Sequence, residues 1–207
     1  MTTTPTALAD EILRRAGDRP RFLVAIAGPP GSGKSTLAEL LAGILTARGK
    51  PSVVLPMDGF HMDNAVLAEK GLLARKGAPE TFDVRGFVDI VRAVRSGAEV
   101  LVPVFDRSRE IAIAAARSIA PRHRIVLIEG NYLLLDEGPW TSLEGLFDLS
   151  ILIAPPEEAL AERLVDRWRR FGLDTAEITA KVEGNDLPNG RTVLARSRPA
   201  DLVISGF

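Results

Sequence analysis

Residues 28–36, GPPGSGKST, constrain this chain more than any other stretch. Gly28, four intervening residues and Gly33-Lys34-Ser35 match the pattern of a glycine-rich loop that wraps a phosphate chain. The preceding run, RFLVAIAG (21–28), is apolar and of strand length. The following run, KSTLAELLAGILTARG (34–49), puts Leu37, Leu40, Leu41, Ile44 and Leu45 along one helical stripe before Gly49. Strand, loop and helix is the setting that this pattern requires. Glycines at 28, 31 and 33 let backbone N–H groups come close to an anion, and the helix then begins there with its positive end. The whole stretch Gly28, Pro29, Pro30, Gly31, Ser32, Gly33, Lys34, Ser35 and Thr36 is expected to hold a nucleotide. Lys34 would reach the β- and γ-phosphates, the Ser35 hydroxyl would ligate Mg²⁺, and Thr36 would touch the α-phosphate.

The rest of the chain repeats the alternation of strand and helix. ALADEILRRAG (7–17), VRGFVDIVRAVRSG (84–97) and PEEALAERLVDRWRRFG (156–172) carry helical spacing, with Asp83 as N-cap of the second. TAEITAKVEG (175–184) and DLPNGRTVLARS (186–197) read as helices with a break between them. PSVVLPMD (51–58), HRIVLIEG (123–130), LSILIAP (149–155) and ADLVISG (200–206) read as further core strands. EVLVPVFD (99–106) and the segment 109–119 read as a strand pair, the second also open to a helical reading. Strands that are apolar throughout suit a parallel sheet covered on both faces, an α/β architecture. No repeat or linker interrupts it, so residues 1–207 are expected to form a single domain.

Composition narrows the function. The net charge is −1, from 26 basic and 27 acidic residues, which gives no overall pull toward nucleic acid or an anionic membrane. The chain has no cysteine, which excludes disulfides and thiolate chemistry. No apolar run reaches the ~18 residues of a membrane span, and the N-terminus has no apolar signal core. A cytoplasmic protein without a nucleic-acid or membrane partner is expected; a homodimer is compatible with it.

Two carboxylates close core strands. Asp58 ends 51–58, and ligands of parallel sheets sit at the carboxyl ends of strands. A carboxylate there, across from the γ-phosphate, can accept a hydroxyl proton during in-line transfer; the alternative is a cap for the turn at Gly59. Glu129 ends 123–130 and suits Mg²⁺ or its water shell. Asp106 is a further candidate for substrate or metal. His61 either binds substrate or caps a helix. In 156–171, Arg163, Arg167 and Arg170 fall on one side, with Trp168 and Arg169 directed elsewhere. These arginines could close over a triphosphate, with Gly172 and Gly184 as hinges; a solvated basic face is the alternative. His123 reads as structural. No guanine-reading N/T-K-x-D motif occurs, which argues against a GTPase.

Taken together, GPPGSGKST, PMDGFHMDN, RKGAPETFD, EGNYLLLD and NDLPNG resemble the uridine kinase / phosphoribulokinase / bacterial pantothenate kinase group, over about residues 20–206. The resemblance is greatest to its uridine kinase-like or fructokinase-like bacterial branch. It implies a three-layer P-loop fold, a mainly parallel five-stranded sheet in the order 2-3-1-4-5, and a helical lid at about 163–186. It implies an ATP- and Mg²⁺-dependent kinase for the hydroxyl of a small metabolite. Asp58 would be the base, Glu129 the partner of metal and water, and Arg163 and Arg167 lid residues. His61, Arg107, Tyr132 and Asn185 would line the acceptor pocket. A fructose-type sugar is the expected acceptor, with uridine or another nucleoside and pantothenate as alternatives. A nucleotide-dependent ATPase switch acting on a protein is a reading of a different class. The chain departs from true uridine kinases in PPGS within the loop and in GNYLLLD after Glu129.

Overall fold

The computed structural model describes residues 3–207; residues 1 and 2 of the expected 1–207 domain lie outside the described residues. Five parallel strands form the central sheet: β1 (Phe22–Ala27), β2 (Ser52–Pro56), β5 (Ile125–Gly130), β6 (Leu149–Ile153) and β7 (Leu202–Ile204). Their order is β2-β5-β1-β6-β7. Counted among the core strands alone, this is the expected 2-3-1-4-5.

All six residues of β1 are buried, as are all six of β5. Side chains alternate between faces with a period of two. Leu23, Ala25 and Ala27 therefore enter one core, while Phe22, Val24 and Ile26 enter the other. The second core is completed by α1 (Pro5–Ala16) and α2 (Lys34–Ala47), through residues such as Ile12, Leu37 and Leu41. The first core is aromatic. Phe87 of α4 (Val84–Arg95) is fully buried, with its ring centroid 5.0 Å from Phe60 and 6.4 Å from Trp140. The amphipathic stripe of α4 at 87, 88, 91 and 94 docks it there, and Asp83 caps it by accepting from the Gly86 N–H.

The segment open to two readings is a strand. β3 (Val100–Asp106) and β4 (Ile111–Ile119) form a separate antiparallel hairpin. Its register shifts between Val102 and Val104, at Pro103, which has no N–H to give to the ladder. Three more helices, α5 (Glu157–Arg170), α6 (Thr175–Lys181) and α7 (Leu187–Arg196), follow β6, and a short α3 (Asn64–Glu69) follows β2. The expected break between α6 and α7 is a π-helical turn at Val182–Asp186, so the chain stays wound through it. Leu160, Leu164, Ile178, Val182 and Leu187 give α5–α7 a small core of their own. No helix among the described residues is long and apolar enough to cross a membrane.

Phe87→Ala would empty the centre of the aromatic core. Urea denaturation should show a loss of about 3–5 kcal/mol; a loss below about 1 kcal/mol would contradict the packing described above.

Candidate active site

β5 lies between β1 and β2 in register, with Glu129 opposite Ile26 on one side and Pro56 on the other. The carboxyl ends of these three strands open on one cleft of about 520 Å³. Loop 28–36 supplies one wall. Gly31 and Gly33 have φ of +77° and +93°, a region that L side chains avoid. Gly28 is needed for a different reason: a Cβ there would stand 2.7 Å from the Ile153 carbonyl oxygen and from Ser32 Oγ. Gly33 is the N-cap of α2 and has no side chain to satisfy its first N–H groups, which leaves them for an anion. The Ser32 hydroxyl is buried without a hydrogen-bond partner, a donor that a phosphate oxygen would satisfy. Lys34 Nζ donates to the Pro29 carbonyl, 3.1 Å away, and burial lowers its pKa.

Asp58 does not end β2 as expected. The strand stops at Pro56, and Asp58 lies in a 3₁₀ turn over Met57–Phe60. A proline ends the ladder, and Gly59 lets the turn press on the hairpin, where a Cβ would overlap the Pro103 carbonyl. The turn still brings Asp58 into the cleft with Lys34 and Glu129. Arg107, at the hairpin tip, donates to Asp58 Oδ2. Burial alone would raise the pKa of Asp58. Arg107 above all, with Lys34 and Arg167, outweighs it and holds the carboxyl below its ordinary value.

His61 caps the 3₁₀ turn Met57–Phe60, its backbone N–H donating to the Asp58 carbonyl oxygen at 3.2 Å; the start of α3 is capped by Asp63, which accepts from the Ala65 N–H. The His61 Nδ1–H donates to the Asp58 carbonyl oxygen at 2.8 Å, and the ring sits between Phe82 and Phe105, at centroid distances of 4.1 and 4.7 Å. Burial lowers its pKa, so the ring is neutral near pH 7, with Nε2 left as an acceptor in the cleft. Asn185 also faces the cleft; it is held by its donation to the Lys76 carbonyl and its acceptance from Arg75.

Three expectations are corrected. Tyr132 is fully buried beneath the cleft, where its hydroxyl donates to the Gly77 carbonyl at 2.7 Å; it supports the floor instead of lining it. Asp106 accepts from Ser108 and the Arg109 N–H and shapes the hairpin tip; it takes no place in the cleft. Trp168 does face the cleft with Arg163, Arg167 and Arg170. Its indole N–H donates to Asp186 at 2.7 Å, and its ring lies beneath Arg167 and Lys181. Arg169 points away and pairs with Asp166. His123 is structural as expected, with Nδ1 accepting from the Ala120 N–H.

Lys76, Phe105 and Asn131 line the cleft without having been singled out. Two signals were available: Lys76 is one of only five lysines and lies within RKGAPETFD, and Asn131 follows Glu129-Gly130 directly.

Glu129 is 5% exposed. Burial and the neighbouring Asp58 raise its pKa from 4.5 to about 7, against the pull of Lys34, the Ser35 hydroxyl and Arg107. Among the described residues no group of three or more His, Cys, Asp or Glu could hold a metal. A hydroxyl and one carboxylate, Ser35 and Glu129, instead suit Mg²⁺ that takes its other oxygens from phosphate and water. Without a ligand, the raised pKa favours the fold below pH 4.5, and this contribution fades as pH rises through about 7. Glu129→Gln removes that dependence. In urea denaturation of the ligand-free protein, the variant should gain on the wild type between about pH 5 and about pH 8. A difference independent of pH would contradict the raised carboxyl.

Residues 23–205 match the model of the Phosphoribulokinase / Uridine kinase family. The chain is 37% identical to YggC of Escherichia coli, over 93% of this chain and 81% of that one. It is 35% identical to the pantothenate kinase of Enterococcus faecalis, over 76% of this chain but only 52% of that longer protein. Among solved structures, one described as a "putative fructose transport system kinase" from Silicibacter sp. TM1040 superposes with a TM-score of 0.92 at 48% identity, covering 97% of this chain and 98% of that one. A phosphate-wrapping loop, one carboxylate at the end of β5 and another in the turn after β2, and a family match over nearly the whole chain lead to one conclusion: this protein is a small-molecule kinase and belongs to the phosphoribulokinase / uridine kinase family.

Proposed function

We propose that the chain transfers the γ-phosphoryl group of ATP, with Mg²⁺, to a hydroxyl of a small metabolite, and that the acceptor is a sugar of the fructose type. The observation that carries the transfer reading is the placement of Asp58 in one cleft with Lys34 and Glu129. The sugar reading is supported by the 48% identity to the structure described as a fructose transport system kinase. The uridine and pantothenate readings remain for the acceptor panel below. The protein would work in the cytoplasm as a single unit, with residues 163–186 as its lid.

Each group in the cleft has a task under this reading. Loop 28–36 and the start of α2 hold the phosphate chain through N–H groups, and Lys34 adds charge at the β- and γ-phosphates. Ser35 and Glu129 would hold Mg²⁺, which when bound would supply neutralisation of charge on the transferring group. Asp58 accepts the proton of the attacking hydroxyl. Its lowered pKa keeps it ionised at neutral pH, so it is ready to do so. Arg107 occupies Oδ2, which leaves Oδ1 of the carboxylate to accept the hydroxyl proton. His61 and Asn185 present acceptor and amide groups that suit a polyol. Arg163 and Arg167, brought down on α5, balance the charge that develops on the transferring phosphoryl group.

Asp58→Asn keeps the shape of the side chain and removes the base. ATP binding should be retained, while phosphoryl transfer falls by about 10²–10⁴-fold. The assay is ADP release from ATP in the presence of fructose, uridine, cytidine or pantothenate in turn. Stimulation by none of these small acceptors, or full activity in the variant, would overturn the proposal.

A further inference from the structure

A large aromatic ring lies beside the phosphate loop on the side away from Asp58. A Cβ placed on Gly33 would stand 3.2 Å from Phe207 Cζ and 3.3 Å from Cε1. The residue is nevertheless 39% exposed. The segment that carries it is pinned: Ala154 N–H donates to the Ile204 carbonyl at 2.7 Å, and Thr3 N–H to the Gly206 carbonyl at 3.3 Å. An aromatic residue is thus held against the loop while part of its surface faces solvent.

The order of the sheet shows which part of the donor comes near it. Asp58 and Glu129 follow β2 and β5, on one side of β1, so transfer requires the γ-phosphate on that side. The rest of the donor must extend the opposite way, past Gly33 and the start of α2, toward the ends of β6 and β7. Phe207 follows β7 and meets Gly33 from that side. From this placement we propose that Phe207 is a stacking platform for the base of the nucleotide donor, and so a donor-binding residue outside the phosphate loop. A ring of this kind offers a π face to any base and an apolar surface that the phosphates do not use. The inference rests on the reading of loop 28–36 as the donor site.

Titration calorimetry with ADP and with inorganic tripolyphosphate, both in Mg²⁺ buffer, separates the base from the phosphates. Phe207→Ala should weaken ADP binding about tenfold and leave tripolyphosphate binding unchanged. Phe207→Leu keeps apolar packing on Gly33 and should show the same base-selective loss, whereas Phe207→Trp should retain ADP affinity. Equal losses for the two ligands would assign Phe207 to packing of the loop and overturn the inference, as would an unchanged ADP affinity in both the alanine and leucine variants. A wild-type protein that binds neither ligand would overturn the donor reading itself, and this inference with it.

Discussion

The register of β5 between β1 and β2 is the constraint on which the cleft depends. It sets Glu129 level with Ile26 and with Pro56, so the phosphate loop, the Glu129 carboxylate and the turn carrying Asp58 leave the sheet at the same height. Parallel strands allow this because each begins at the same edge and ends at the same edge. A slip of one residue would turn Glu129 from the cleft into a core built from fully apolar side chains. The two cores, one aromatic and one aliphatic, hold that register by burying both faces of β1 and β5.

The electrostatics follow from the same crowding. Asp58 opposes the ionisation of Glu129, and the two pKa values move in opposite directions. Arg107 is the reason. It lies on Asp58 and keeps that carboxyl ionised, which leaves Glu129 to take up the cost of burial and of the neighbouring charge. Two carboxylates that meet in one cleft thereby become different chemical groups: one held ionised, the other inclined to keep its proton. The π-helical turn at Val182–Asp186 has a related role. It keeps α6 and α7 continuous and sets Asp186 where the Trp168 indole N–H can reach it, so the arginine-bearing α5 is tied to the helices that follow.

Much of the fold was legible because the signals are local. Loop 28–36 is recognised by glycines, two of them at a positive φ that L side chains rarely adopt, and the core strands by continuous apolar runs. The strand order was not legible from periodicity; it came from resemblance to a family. The site was legible where chemistry sits at the end of an element, as with Asp58, Glu129 and the arginines of α5. It was illegible where the chain folds back on itself. Phe105 and Arg107 sit at the tip of a hairpin whose second strand, rich in alanine, carries no clear period. Tyr132 lies directly beyond a strand end, where an aromatic side chain can turn up into a cleft or down into a core, and only packing against Phe82 and Trp140 decides.

By itself, the sequence determined an α/β chain with a phosphate-wrapping loop, a helix that opens on the anion, and an acidic residue, Glu129, closing a buried strand. Those are consequences of backbone sterics and of hydrophobic periodicity, which act over a few residues. Tertiary structure alone decided that Arg107 covers Asp58, that Trp168 faces inward, that Tyr132 props the floor and that Phe207 stands beside Gly33. Each of these is a meeting of segments far apart in the chain. Such contacts depend on how sheets and helices stack and which side chain fills the space left over, and no local pattern encodes that.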